Sequence, residues 1–212
     1  MNRRAKIPIA PGKAREYSFE TINSDVKYQN LISQLNPHFL FNSLATLESL
    51  IHSDPRLAVK FLSQLTRVYR YILSTRDTPL VTLTDELSFI RDYADLLQTR
   101  FGKGLKIHIK AHTNSKVLQA QIVPAVLQIL VENATRHNIT DPDSPLCISI
   151  EVAGYALVIE NNLQKKQILE AKRQETLQSL GNLYNYLSTV PLTIEQTEST
   201  FRVIVPLLNK ES

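Results

Sequence analysis

The sequence predicts an α+β protein in which a helical module, ending near residue 101, precedes a strand-rich α/β sandwich. Up to that point, apolar residues recur at the spacing of one helix face, and beyond it short segments alternate apolar and polar residues. Gly102 and Gly104 stand at the change and are typical of a helix end. With 212 residues and 43% hydrophobic content, the chain is long enough to bury a substantial core.

The pattern divides the chain into three parts. Residues 1–24 contain prolines and basic residues without periodicity, which predicts a basic flexible arm. Residues 25–101 form the predicted helical module, and residues 102–212 form the sandwich. Two or three helices with broad apolar faces leave more apolar surface than one helical module can cover, so we expect a homodimer.

Prolines and capping residues mark the three helices of the first module. Pro37 interrupts the first apolar repeat, so it predicts a kink or a new first turn with Asn36 as the cap. Pro55 opens the second helix. Thr84, followed by acidic residues, is the predicted N-cap of the third.

The second part alternates strands with helices. The predicted helices are 123–138, entered through Pro124, and about 165–188; the predicted strands are 105–111, 146–152, 156–161, 191–197 and 200–206. Cys147 is expected as a small core residue on one of these strands. A single cysteine excludes an internal disulfide framework and fits a reducing compartment.

Charge and hydropathy limit the classes of function. The first 16 residues hold five basic residues and one acid, which accounts for the whole net charge of +4. Such an arm is an ordinary solvated tail or the cytoplasmic flank of a membrane helix. The balanced remainder does not predict nucleic-acid binding. No apolar run reaches the roughly 18 residues of a membrane span, so we expect a cytoplasmic chain or the cytoplasmic part of a membrane protein.

The segment from Gln34 to Leu44 is the most informative stretch. His38 and Asn42 are four residues apart and therefore share one helix face, beside an apolar seam. An unprotonated imidazole there is a competent nucleophile, but the spacing alone favours a structural histidine. A metal site is less favoured, because the remaining histidines form no ligand pattern beyond the strand pair His108 and His112.

The string QLNPHFLFNSL resembles the phosphoacceptor motif of LytS/YehU-type sensor histidine kinases. Three further strings resemble later segments of that family in the expected order: LTRVYRYIL, LTDELSFIRDYADLLQTRF and the N-box-like VPAVLQILVENATRHNI. The string LTDELSFIRDYADLLQTRF includes Glu86 and Tyr93 among its matching positions. The resemblance covers roughly residues 28–206.

The resemblance implies a dimeric four-helix bundle followed by a Bergerat-type sandwich that binds ATP with Mg²⁺. The γ-phosphate would move to His38 and then to an aspartate of a response regulator, often one of the LytTR type. By the same resemblance Asn42 and Glu132 are catalytic candidates, and Asn133 is the candidate Mg²⁺ ligand. The candidate nucleotide-binding residues are Asn133, Arg136, His137, Asn161, Asn162, Ser179 and Asn182.

The later boxes depart from the family. Asn161 replaces the aspartate that accepts a hydrogen bond from the adenine amino group, and Leu163 replaces a glycine. The segment Leu177–Leu180 lacks both glycines of the loop that meets the phosphates. We therefore expect weak ATP binding or an altered lid.

Three hypotheses remain open. The first is an active histidine autokinase. The second is a catalytically weak or inactive relative that acts as a dimeric scaffold or as a histidine phosphotransfer partner. The third is a helical DNA-binding or structural module unrelated to phosphorelay.

Overall fold

The computed structural model describes residues 5–6, 37–111, 114–164 and 170–208; the side chains of residues 5–6, 37–38 and 170–175 are not included. The predicted cap Asn36, His112 and most of the basic arm therefore lie outside the described residues. Within that arm, strand β1 (Ala5–Lys6) pairs with Glu195 and Gln196 at the edge of the main sheet.

Three helices form the first module: α1 (Pro37–Ser53), α2 (Pro55–Ser74) and α3 (Leu83–Phe101). Asp54 caps α2 by accepting a hydrogen bond from the backbone N–H of Leu57 at 3.0 Å. None of the helices in the described ranges combines the length and apolar character needed to cross a bilayer.

The predicted cap of α3 is wrong by two residues. Thr82, in an extended conformation, accepts the hydrogen bond from the backbone N–H of Asp85 at 3.2 Å. Thr84 already lies inside the helix, and its hydroxyl donates to the backbone oxygen of Leu118 at 3.0 Å. The pairing of strand β2 (Val81–Thr82) with β4 (Gln121–Ile122) brings Thr82 to the helix start, which sequence spacing alone does not reveal.

The second part contains a six-stranded mixed sheet. Its further strands are β3 (Leu105–Lys110), β5 (Leu146–Ala153), β6 (Ala156–Asn162), β7 (Thr193–Gln196) and β8 (Thr200–Pro206). The order is β1-β7-β8-β6-β5-β3, with β3 and β5 parallel and the other pairs antiparallel. Gly154, with φ +60°, supplies the left-handed turn between β5 and β6.

Three helices accompany the sheet: α4 (Ser115–Leu118), α5 (Val126–His137) and α6 (Glu170–Leu187). The strands bury alternate residues, so one face of the sheet joins the core. Leu146 and Ile148 point inward, which leaves Cys147 on the outer face; its predicted burial is wrong. The α+β class, with helices first and a mixed sheet after, is confirmed.

Helix α3 lies between the two parts. It packs on α2, on β3 and on α5, and its residues Ile90 and Tyr93 are completely buried. The buried apolar side chains form one continuous cluster that extends from Phe39 in α1 to Leu207 after β8. A change in packing on one side of α3 can therefore affect the other side, because both sides belong to a single packed core.

Candidate phosphoacceptor and nucleotide site

Helix α5 carries four of the predicted site residues: Glu132, Asn133, Arg136 and His137. The helix is entered through Pro124 and then Ala125, which has φ 58° and offers no side-chain cap. It ends at Asn138, whose backbone N–H donates to the carbonyl of Ala134. The placement of α5 therefore decides the placement of most of the candidate site.

A buried carboxylate from α3 caps the start of α5. The two oxygens of Glu86 accept hydrogen bonds from the backbone N–H groups of Ala125 and Leu127, each at 3.0 Å. The Tyr71 hydroxyl from α2 donates to the same carboxylate at 2.6 Å. Complete burial raises the pKa of Glu86 to about 7, although these three hydrogen bonds act in the opposite direction.

Glu132 is held in place by neighbouring side chains. Its Oε1 accepts hydrogen bonds from the Tyr93 hydroxyl at 3.0 Å and from Gln128 Nε2 at 2.8 Å. Arg136 Nη2 lies 3.8 Å from Oε2, as an ion pair one turn further along the helix. Burial, followed by the charge of Glu132, raises the pKa of Tyr93 well above its ordinary value. Tyr93 therefore stays a hydrogen-bond donor to Glu132 throughout the physiological pH range.

The candidate phosphoacceptor segment around His38 contacts this network through Phe39. Phe39 is buried, and its ring centroid lies 5.1 Å from that of Tyr93 and 6.3 Å from that of Tyr69. His38 precedes it as the second residue of α1, and its side chain lies outside the described part of the chain. Asn42 follows one turn later and is partly exposed. His38 is therefore adjacent in sequence to Phe39, whose ring packs on Tyr93. Tyr93 is the residue that donates a hydrogen bond to Glu132.

Asn133, on α5, is the candidate metal ligand. The residue is only 7% exposed. The oxygen of its side-chain amide is a ligand type that Mg²⁺ accepts. In the described ranges, no cluster of three or more histidine, cysteine or acidic residues could hold a metal by itself. A Mg²⁺ ion held by Asn133 would therefore need further ligands from outside such a cluster.

Asn161 and Asn162 lie at the end of β6. Two hydrogen bonds connect the segment after β6 to the residues that follow α5. Gln164 makes this connection, because its N–H donates to Asn138 Oδ1 and its carbonyl accepts from the N–H of Ile139, both at 2.8 Å. Asn161 is buried. Asn162 Oδ1 accepts a hydrogen bond from the backbone N–H of Cys147, and Asn162 Nδ2 donates one to the carbonyl of Pro145. The side-chain amide of Asn162 therefore holds β6 against the start of β5.

Ser179 and Asn182 lie on α6, which is a continuous helix through the segment that lacks the family glycines. Leu177, Leu180 and Tyr184 face the core, while Ser179 is partly exposed and Asn182 is exposed. In a helix interior the backbone N–H groups are occupied by intrahelical bonds. The backbone of Leu177–Leu180 is therefore not arranged as a phosphate-binding loop.

The structure adds Tyr71 and Glu86 to the residues around the site, together with Tyr93. The family-like string already includes Glu86 and Tyr93, but nothing in their local spacing predicts partners 39 residues away. Glu86 looks in the sequence like an ordinary acid in the first turn of α3.

Comparison with known proteins identifies the class. Residues 26–105 match the family model described as histidine kinase. The chain belongs to the histidine kinase family, as its motifs predicted.

Among characterised relatives, the chain is similar to the sensor protein kinase HptS of Staphylococcus aureus, from strains USA300 and N315 among others. The identity is 30% over 161 residues, which is 74% of this chain and 30% of the relative. The chain therefore spans less than a third of the length of the curated relatives it matches.

Solved structures show more distant likeness. The histidine kinase AdeS of Acinetobacter baumannii has 15% identity and a TM-score of 0.38, and the match covers 81% of this chain and 98% of that one. A bacterial phosphotransferase has 10% identity and a TM-score of 0.43, with 90% and 98% covered. The catalytic domain of histidine kinase ThkA has 11% identity and a TM-score of 0.41, with 62% and 97% covered. These values are too low to carry an argument about function.

Proposed function

We propose that this chain is the core of a sensor histidine kinase that phosphorylates His38 with ATP and passes the phosphoryl group to an aspartate of a response regulator. One observation carries the proposal. Phe39, next to His38, packs on Tyr93, and Tyr93 donates its hydroxyl to Glu132 on the helix that carries Asn133. The candidate phosphoacceptor segment is therefore connected to the candidate nucleotide-binding helix through one side chain of α3.

In the proposed reaction an unprotonated imidazole nitrogen of His38 attacks the γ-phosphorus of ATP. The bond from that phosphorus to the oxygen bridging to the β-phosphate breaks, ADP leaves, and the imidazole loses its remaining proton. Such a transfer needs positioning and charge neutralisation more than covalent help. The phosphohistidine then donates its phosphoryl group to a carboxylate of the regulator, for which a LytTR-type protein is the candidate.

The residues of α5 divide this work in the proposal. Mg²⁺, when bound with ATP, supplies neutralisation of phosphate charge, and the amide oxygen of Asn133 would hold it. Arg136 and His137, in the last turn, provide cations toward the phosphates. Glu132 is the candidate base, held in position by Tyr93 and Gln128. Asn161 would accept from the adenine amino group.

The proposed kinase acts as a homodimer through α1 and α2. These helices expose large apolar side chains: Phe41, Leu44, Ile51, Val59, Leu62 and Leu73. A groove of about 730 Å³ also runs along α2, lined by Leu62, Leu65, Tyr69 and Leu73 among others. An exposed apolar surface of this kind fits a helix bundle completed by a second copy. The proposal places the chain in the cytoplasm, and a membrane-embedded sensor part is a candidate partner.

A second candidate function is favoured by one observation. The segment Leu177–Leu180 is helical and has no glycines, so it lacks the backbone amides that a phosphate loop would present. With such a lid, this chain would receive a phosphoryl group on His38 from another protein, or would act as a scaffold.

Labelling with γ-³²P-ATP and Mg²⁺ tests the proposal. The wild type should gain acid-labile label, and His38→Ala should gain none. His52→Ala is the matched control, because His52 lies exposed on the same helix and should not affect labelling. Equal label in His38→Ala contradicts the proposal.

Nucleotide-dependent thermal stabilisation separates the two candidates. A ligand at 100 times its Kd stabilises the folded state by about 2.7 kcal/mol, which is readily measured. A shift with Mg-ATP that Asn133→Ala abolishes supports the kinase. An unlabelled wild type without a shift, which nevertheless accepts phosphate on His38 from a phosphorylated regulator, supports the second candidate.

A further inference from the structure

The start of α5 depends on a side chain from another helix. Ala125 is in the left-handed region, Pro124 has no N–H, and neither supplies a cap. Glu86 replaces the missing cap, with one carboxylate oxygen on Ala125 and the other on Leu127. One bond to the N-cap residue and one to the second residue of α5 restrict both the rotation of the helix and its displacement along its axis.

The same carboxylate also binds α2. The Tyr71 hydroxyl donates to Glu86 Oε2, and the Tyr71 ring stacks on Phe89 with centroids 4.1 Å apart. Three helices therefore meet at one completely buried carboxylate. Burying an ionisable group is costly unless its partners are well placed, so this group is a poor choice if only packing is required.

From these contacts we infer that Glu86 is a positioning residue for nucleotide binding, which fixes α5 and hence Asn133 relative to the helical module, and that Tyr71 extends this connection to α2. The inference rests on the function proposed above. Asn133 lies six residues beyond Leu127, which is about 9 Å along a helix. A tilt of about 10° at the cap would move Asn133 by about 1.5 Å, whereas a binding group must stay within about 0.5 Å of its productive position.

The chain offers a matched control. Arg67 on α2 and Asp92 on α3 form a surface ion pair, with Nη2 and Oδ1 2.7 Å apart and a second bond of 2.9 Å. This pair joins the same two helices as Tyr71 and Glu86 but does not contact α5. Asp92→Asn therefore weakens the connection between α2 and α3 without removing the cap.

The test compares Glu86→Gln, Tyr71→Phe and Asp92→Asn in the full chain. A glutamine has the shape of glutamate, but its NH₂ group cannot accept from the second backbone N–H of α5. In Glu86→Gln, hydrogen exchange at Ala125 and Leu127 should become about tenfold faster, as expected for the loss of one hydrogen bond. If the same free energy is lost from binding, the Kd and the KM for Mg-ATP should rise about tenfold, with a smaller change in kcat.

Tyr71→Phe keeps the cap and loses only the connection to α2. Its Kd for Mg-ATP should rise about threefold, and its effect should not add to that of Glu86→Gln, because both act through one carboxylate. Asp92→Asn should leave exchange at α5 and the Kd unchanged. Tyr71→Phe also keeps the test decisive if Glu86→Gln does not fold.

Three results overturn the inference while leaving the proposed function intact. The first is unchanged exchange at Ala125 and Leu127 in Glu86→Gln. The second is faster exchange with an unchanged Kd and KM, which makes the cap purely structural. The third is an equal rise of Kd in Asp92→Asn. A wild type that binds no Mg-ATP at all overturns the proposed function itself, and with it the nucleotide role of Glu86.

Discussion

Tyr93→Phe is the most direct test of the network that orients Glu132. The substitution removes one hydroxyl and leaves the ring in place between Phe39 and Glu132. A hydrogen bond to a charged group contributes about 1.5–3 kcal/mol. Glu132 keeps its bond from Gln128 at 2.8 Å and the ion pair with Arg136 at 3.8 Å, so the lower end of that range applies.

We therefore expect Tyr93→Phe to lower the free energy of unfolding by about 1.5 kcal/mol, which shifts Tm by roughly 3–6 °C in a chain of this size. Urea unfolding followed by circular dichroism at pH 8 measures the change. The control is Tyr155→Phe in the exposed turn after Gly154, which should stay within about 0.5 kcal/mol of wild type. If Tyr93→Phe is as stable as wild type, the hydroxyl does not hold Glu132 and the argument fails.

Three further predictions concern burial, protonation and association. Phe39→Ala should cost about 3–5 kcal/mol in urea unfolding, because it empties a buried site against Tyr69 and Tyr93; a loss below about 1 kcal/mol would show that the phosphoacceptor segment is not packed there. The raised pKa of Glu86 means that the folded state holds a proton which the unfolded state has released. The contribution of Glu86 to stability should therefore be fully present below about pH 4.5 and fall by up to about 3 kcal/mol as pH rises from about 4.5 to about 7. Tyr71 and Tyr184 are the titratable groups that interact with Glu86, and Glu86→Gln should remove this part of the pH dependence; equal slopes in both proteins would contradict it. Light scattering at tens of micromolar should show a dimer, and Leu62→Asp should shift it to monomer, whereas a monomeric wild type would exclude α1 and α2 as the interface.

Local pattern determined most of the elements. The predicted strands 146–152 and 156–161 appear as Leu146–Ala153 and Ala156–Asn162, and the predicted final hairpin appears as β7 and β8. These features depend on the alternation of neighbouring residues and on turn residues such as Gly154, which are properties of short segments. The same holds for the motif around His38 and for the family assignment.

Local pattern was less informative where two placements satisfied it equally. Thr82 and Thr84 are both acceptable caps, and the pairing of β2 with β4 chose Thr82. Cys147 lies on its predicted strand but on the outer face, because Leu146 and Ile148 occupy the inner one.

The sequence by itself determined most of the helices and strands, the family and the residue types at the candidate site. Only the tertiary structure decided how those residues are held: Glu86 on the backbone of Ala125 and Leu127, Tyr93 on Glu132, and Phe39 on Tyr93. These contacts join residues 39 to 54 positions apart in the sequence. Their formation depends on packing of the whole core around α3, for which no short segment carries a signal.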